Sequence, residues 1–451
     1  MKTLIILSEA KNLTERPFAT LRVTYERSRE ELSMKKLHYG WFVLVACCAH
    51  TLGGGLTLNV IGQYFVPVTS DLGFGMGQFT FYYAMRGIFM VISLTMLNKW
   101  LKMFNLRLLL AACYTIQLIC TALMGTFTEI WQWYAAGAVM GFFLPPVYFV
   151  IPPIILSNWF VKKRGFVTGL ALSFSGVGGV LMNPILARLI QEFGWRTAYW
   201  LNAVIAGVVV LPFLIFMIRL HPDEKGVKPY GYEEPKEDAG QGDKQPSVAL
   251  SDQPTGVPTA VAVRSTSFVF MVLLFSAVGF FSGYPQHLTS YGISIGHSVT
   301  FAAYLLSLSM LGNVICKLAF GVISDKFGGM VLIFFALGIT MATFLLLLGG
   351  VANTPALLAG AFLSGCLFSI SSVGTPLMLQ SVYGLKDYAR LFLLLSISQN
   401  FFVSFGPSIV GFMYDHSGGY AFPLMAGVAV TIVAAVLVVF SFRTSKELEW
   451  S

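Results

Sequence analysis

Charge is what this 451-residue chain has least of: 11% of its residues are Asp, Glu, Lys or Arg, against 56% hydrophobic, and its mean hydropathy is +0.73. Soluble domains carry roughly 25% charged residues, so a water-facing surface for a chain of this length is excluded. Acids are scarcer than bases, 21 against 29, for a net charge of +8. No Asp or Glu lies deep in an apolar run; Asp71, Glu129, Glu192, Asp387 and Asp415 sit in loops or at run ends. A carboxylate proton relay inside those runs therefore has no candidate. The six cysteines (Cys47, Cys48, Cys113, Cys120, Cys316, Cys366) fall within apolar runs without C-x-x-C or zinc spacing, and they read as small core hydrophobes. The chain also lacks G-x-x-x-x-G-K-[ST], H-E-x-x-H and G-x-S-x-G, so no ATP cradle, metalloprotease helix or nucleophile elbow is expected. No cofactor, metal or enzymatic reaction is expected. Residues 1–33 have no sustained apolar core and do not read as a signal peptide. They read as a solvated tail or as the product of an early start codon, with Met34 the true start.

What the chain does have is long apolar runs. A membrane-spanning helix needs about 20 apolar residues, and that length predicts twelve spans: 41–66, 79–97, 106–127, 131–156, 165–190, 198–219, 266–288, 299–323, 330–350, 355–382, 390–412 and 420–442. The Pro-, Gly- and acid-rich stretch between the sixth and seventh reads as a solvated linker. The expected organisation is a tail at 1–37, a six-helix unit at 38–220, a linker at 221–265, a second six-helix unit at 266–443 and a tail at 444–451. Lys and Arg crowd alternate gaps. Lys99, Lys102 and Arg107 follow the second run, and Lys162, Lys163 and Arg164 the fourth, whereas the gaps at 67–78, 128–130, 289–298, 351–354 and 413–419 have none. The positive-inside rule then places both termini and the linker in the cytoplasm. The basic residues set topology, and no nucleic-acid partner is expected. Pro145-Pro146 and Pro152-Pro153 are expected to bend the fourth helix, and Gly137-x-x-x-Gly141 and the glycines of 169–179 to mark close helix contacts.

The halves echo each other. Asn98-Lys99 after the second run matches Asp325-Lys326 after the eighth at an offset of 227; Asn183-Pro184 matches Gly406-Pro407 at 223, and Gly194-Trp195-Arg196 matches Gly418-Gly419-Tyr420 at 224. The shared offset predicts a duplicated unit with a substrate site between the halves near mid-membrane.

Lys317 stands inside the eighth run, eight residues before Asp325, which is roughly 12 Å of helix. A lysine so deep either snorkels to the headgroups or serves a functional site. Asn313, one turn deeper, extends a polar face, and Arg86 in the second run is the other deep cation. His50 and His287 could titrate near neutrality. Asn59, Gln63, Tyr64, Tyr148, Tyr284, Ser371, Thr375, Ser398, Gln399 and Asn400 are further candidates for the cavity wall.

Gly321-x-x-x-Asp325-Lys326-x-Gly328, with its degraded copy at Asn98-Lys99, resembles the signature of the major facilitator superfamily, and the resemblance covers residues 38–443. It implies an all-α membrane protein of twelve helices in two pseudo-symmetric bundles. Gly321, Asp325, Lys326, Gly328, Asn98 and Lys99 would then gate conformational change. Asn158-Trp159-Phe160-Val161-Lys162-Lys163-Arg164-Gly165-x-x-x-Gly169, His38-Tyr39-Gly40-Trp41, Gly194-Trp195-Arg196 and His221-Pro222 are similar to motifs of oxalate–formate antiporters and monocarboxylate porters. Those families place a cation at the position of Lys317, usually Arg. Where monocarboxylate porters put an acid this chain has Asn313, and where oxalate–formate antiporters put a second cation it has Gln399. Arg86 could supply that cation from the other half.

The resulting expectation is a carrier of small organic carboxylate anions, by antiport, in the cytoplasmic (inner) membrane, monomeric within its lipid bilayer. The substrate-binding set is Lys317, Arg86, Asn313, Gln399, Tyr148, Asn59, Gln63, Tyr284 and His50. Proton-coupled monocarboxylate symport, with a histidine carrying the proton, and export of other small molecules are the alternatives.

Overall fold

In a bilayer each backbone N–H and C=O needs a partner within the chain, so apolar runs of this length become helices. The computed structural model describes residues 38–144, 151–232, 256–384 and 386–445, without the side chains of Asn98, Arg164, Asp325 and Ala389. The expectations for the N-terminal tail, Tyr148 and the Pro145-Pro146 bend lie outside the described residues. Among the described residues no strand forms, only two isolated bridges, Phe160 with Tyr230 and Gly256 with Gly384.

Ten described segments are long and apolar enough to cross a membrane, one of them, Gly165–Phe216, covering two helices joined at a corner. α1 is Tyr39–Leu72, broken by a 3-10 turn at Ile61–Tyr64; α2 is Met76–Met103 and α3 is Leu106–Leu123. α4 is described in two pieces, Ile130–Phe142 and Ile151–Trp159, which keeps it out of the ten. Arg164–Phe216 reverses at Gly194 (φ 76°), a left-handed backbone that glycine adopts without strain, and so makes α5 and α6. α7 runs over Thr266–Ser294. Val299–Gly349 reverses likewise at Gly328 (φ 82°) into α8 and α9. α10 is Thr354–Tyr383 with a π-turn at Ile370–Gly374, α11 is Tyr388–Ser417 and α12 is Ala421–Ser445.

Buried apolar side chains gather in two clusters, one from Val43 to Ile218 and one from Val257 to Val438. Within each half, small residues let backbones touch. Gly55 of α1 lies against the Ser175 carbonyl and Gly178 of α5, Gly137 and Gly141 of α4 rest on the Tyr82 and Arg86 carbonyls of α2, and Gly312 of α8 meets the Phe362 carbonyl of α10.

The two described ends of the linker each dock on their own half. Tyr230 donates from N to the Trp159 carbonyl (2.8 Å) and accepts from Val161 N (2.9 Å), beside α4. Val257 N donates to the Tyr383 carbonyl (2.8 Å), and Asp387 accepts from Thr259 N (2.7 Å) and Thr259 Oγ1 (2.8 Å), beside α10 and α11.

Gly55→Val should cost about 1–3 kcal/mol by forcing α1 off α5, read as a lower melting temperature in detergent; an unchanged value would contradict the packing described. The two Thr259 hydrogen bonds hold Asp387 below the usual carboxylate range. A depressed folded-state pKa stabilises above the unfolded value and stops doing so as pH falls through the folded one. Amide exchange over 257–262 should therefore quicken beyond the intrinsic rate only below about pH 4.

Candidate functional site: the cleft between the halves

Two helix pairs bring the halves together, α2 with α11 and α5 with α8. They touch from mid-membrane to the side away from the linker, called here the far side. Gly87 lies against Ser404 and Gly77 against Phe412, while Gly176 meets Val314 and Gly179 meets Met310. At 100° per residue, Met310, Val314, Lys317 and Gly321 share about 60° of arc on α8, and Gly165, Gly169, Gly176 and Gly179 share about 80° on α5. These stripes face each other, and on the linker side they part. A Cβ built on Gly165, Gly169 or Gly321 would meet nothing within 4 Å. The structure is thus a cleft open on the linker side and closed on the far side.

Lys317 sits at the head of that opening, one turn beyond the Val314–Gly176 contact. It is half-buried, and no described residue accepts a hydrogen bond from its ammonium or ion-pairs with it. Its neighbours on the sequence-based expectation have other engagements. Asn313 turns to α10, where its Oδ1 accepts from Ser369 Oγ (3.0 Å). Gln399 donates through Nε2 to the Ser371 carbonyl (3.0 Å), Ser371 Oγ (3.0 Å) and Thr375 Oγ1 (3.1 Å), tying α11 to α10. Asn59 donates to the Ser175 carbonyl (2.9 Å) and Gln63 to Asn183 Oδ1 (3.1 Å), both between α1 and α5. Tyr284 donates to the Pro423 carbonyl (2.7 Å) of α12, and His50 is buried in α1. His287 is also committed, to Tyr420 Oη (3.0 Å) and the Pro407 carbonyl (2.8 Å).

Arg86 is not brought to Lys317. Its guanidinium points into the first half, donating from one nitrogen to Gln117 Oε1 of α3 (3.2 Å), and the cavity around it is lined by first-half residues alone. Of the residues expected to gate, Lys99 and Lys326 are exposed on the linker side, Gly321 borders the open cleft, and Gly328 makes the α8–α9 corner. The side chains of Asn98 and Asp325 are outside the described residues.

The far-side closure holds a residue that the sequence reading placed at a helix end without a role. The Asp415 carboxylate, in the last turn of α11, accepts from Met76 N (2.9 Å) and Gly77 N (2.8 Å) at the start of α2. An acid from one half thus caps a helix of the other, where the dipole favours negative charge. The second pair has a weaker counterpart: Thr300 Oγ1 at the start of α8 donates to Gln191 Oε1 near the end of α5 (3.3 Å). Both partners are shifted by the same 224 residues. The Gly62 backbone against the Gln286 carbonyl and the Phe65 ring 5.0 Å from that of His287 complete the closure.

Two bundles of membrane-length apolar helices, packed together on the far side and parted on the linker side, are the frame of a membrane-embedded protein. The chain belongs to the Major Facilitator Superfamily, whose sequence profile matches residues 43–348 and 292–451. It is 26% identical to monocarboxylate transporter 12 of Rattus norvegicus over 188 residues, 38% of this chain and 37% of that one. It is 25% identical to an agnestins efflux protein of Paecilomyces divaricatus over 246 residues, 53% of this chain and 50% of that one. The chain thus spans half or less of the length of these relatives. In fold it resembles the nucleoside transporter NupG (TM-score 0.64, 14% identity, 92% of this chain and 100% of that one). It also resembles a bacterial homologue of the human lysosomal transporter Spinster in an inward-facing, occupied conformation (TM-score 0.64, 16% identity, 92% and 99%).

Asp415→Ala should loosen the far-side closure by about 1 kcal/mol, the usual worth of an N-cap, or about fivefold in population. Spin labels on cysteines introduced at Ser70 and His416 should show that much more of the long inter-label distance; an unaltered distribution would exclude the latch.

Proposed function

We propose that this chain is a secondary carrier of small organic carboxylate anions, working by alternating access, with the Lys317 ammonium as the anion's contact in the cleft. The observation that carries this reading is the position of Lys317: half-buried at the head of the opening, on the face turned to the other half, and without a described partner. A cation kept unpaired in an apolar interior costs several kcal/mol unless an anion visits it. Further support comes from the lack of Asp or Glu deep in the predicted spans, which leaves the site electropositive. The relatives named as monocarboxylate transporters point the same way.

In this reading residues 38–220 and 266–443 rock against each other. Asp415 and Gln191 release α2 and α8 as the far side opens, and the turns carrying Asn98-Lys99 and Gly321–Gly328 close the linker side. Exchange against a counter-anion is the favoured coupling, since no intramembrane carboxylate is available to carry a proton. The carrier is monomeric in the cytoplasmic membrane, with the linker and both termini in the cytoplasm. The likeness to an efflux protein favours a second reading, export of another small molecule through the same cleft.

Uptake of labelled formate, oxalate and lactate into proteoliposomes tests the proposal. Lys317→Ala should lower uptake by roughly 10- to 100-fold, the worth of one hydrogen bond to a charged group, and Lys317→Arg should retain most of it. Preloaded counter-anion should accelerate uptake. Acceleration by acid outside, with none from counter-anion, would replace antiport by proton symport. Undiminished anion uptake by Lys317→Ala would remove the residue from the site.

A further inference from the structure

The cavity around Arg86 lies within the first half, between α1, α2, α3, α4 and α6, and no described residue of the second half lines it. Arg86 is 3% exposed, Tyr64 2%, Tyr199 3% and Asn202 1%. Several of their polar atoms are unspent. Arg86 Nε and Nη1 have no hydrogen-bond partner among the described residues, while the Tyr64 hydroxyl neighbours Asn202 and the Tyr199 hydroxyl neighbours Trp133 without a well-formed hydrogen bond. The geometry is fixed from behind. Gln117 donates through Nε2 to the Met140 carbonyl (2.6 Å), which turns its Oε1 to the guanidinium, and the Tyr64 and Tyr199 rings stack at 3.7 Å with 3° between their planes.

Each buried unpartnered polar group costs about 1–3 kcal/mol, and more when charged. So many converging on one cavity describe a guest. Its chemistry follows from the donor set: guanidinium N–H groups, two hydroxyls and an amide converge on it, and no carboxylate lines the cavity. Size narrows the choice further. The cavity offers about 10 Å³ to a water-sized group, room for about one water or a monatomic ion and too little for an organic acid. A water would satisfy some donors but leave the Arg86 charge unbalanced in an apolar interior, which a halide would neutralise.

We propose that the Arg86 chamber binds one chloride ion, as a fixed part of the first half and not as the transported anion. The site is built on α1, α2 and α6, and it is independent of the reading of the cleft.

Bromide is the probe. Purified full-length protein in detergent should gain melting temperature saturably with sodium bromide or chloride over sodium gluconate of equal ionic strength. Crystals grown with bromide should show an anomalous peak beside residue 86. Arg86→Met should abolish the halide response. Tyr199→Phe, a milder change that keeps the ring stack, should weaken apparent halide affinity several-fold, and so provides the test if Arg86→Met fails to fold. Lys317→Met should leave the response intact, which separates this site from the proposed transport site. No halide dependence in the unaltered protein, an equal response in Arg86→Met or Tyr199→Phe, or a map with water alone in the chamber would overturn the proposal.

Discussion

A positive charge in an apolar interior has to be balanced, hydrated or held against a guest, and the two deep cations of this chain meet that demand in different places. Lys317 stands where the helix stripes of α5 and α8 separate, with the linker-side opening before it. Arg86 turns into the first half, with Gln117 taking one of its donors and Nε and Nη1 left unpartnered beside a chamber of about one water's volume. One cation thus borders the parting of the two halves, and the other lies among helices of the first half alone.

The far-side closure follows from the duplication. Each half offers the N-terminus of one helix, α2 or α8, to the end of a helix from the other half, α11 or α5. The pairs are equivalent in position and unequal in chemistry. Asp415 gives a charged double contact to backbone N–H groups, whereas Gln191 gives one neutral contact to a threonine hydroxyl. A pseudo-symmetric frame therefore closes unevenly, with its stronger tie on the α2–α11 side.

Much of the frame was legible in the sequence because span length and charge alternation are local signals. Ten apolar segments of membrane length are described, and the reversals at Gly194 and Gly328 fall where the sequence put the joins between spans. The roles of Gly137 and Gly141 were legible for the same reason, since small residues at helical spacing have few other uses in a bilayer. What the sequence could not give was direction. The 227-residue offset aligned Arg86 with Asn313, yet Arg86 turns to α3 and Asn313 to Ser369 of α10. Gln399 and Tyr284 were legible as polar groups in apolar runs, but their partners, Ser371 with Thr375 and the Pro423 carbonyl, depend on helix rotation. Asp415 was the hardest to read. Its partners are backbone groups 338 and 339 residues away, and no side-chain pattern announces a backbone donor.

The way the linker attaches bears on where mechanical load is carried. One end is stitched to the α4 turn through Tyr230, Trp159 and Val161, the other to the α10–α11 turn through Val257, Tyr383 and Asp387. Neither set of stitches crosses the midline, so each moves with the bundle that bears it. Opening the cleft therefore need not break these stitches; the contacts it must part are those of the interlocked helix pairs, α2 with α11 and α5 with α8.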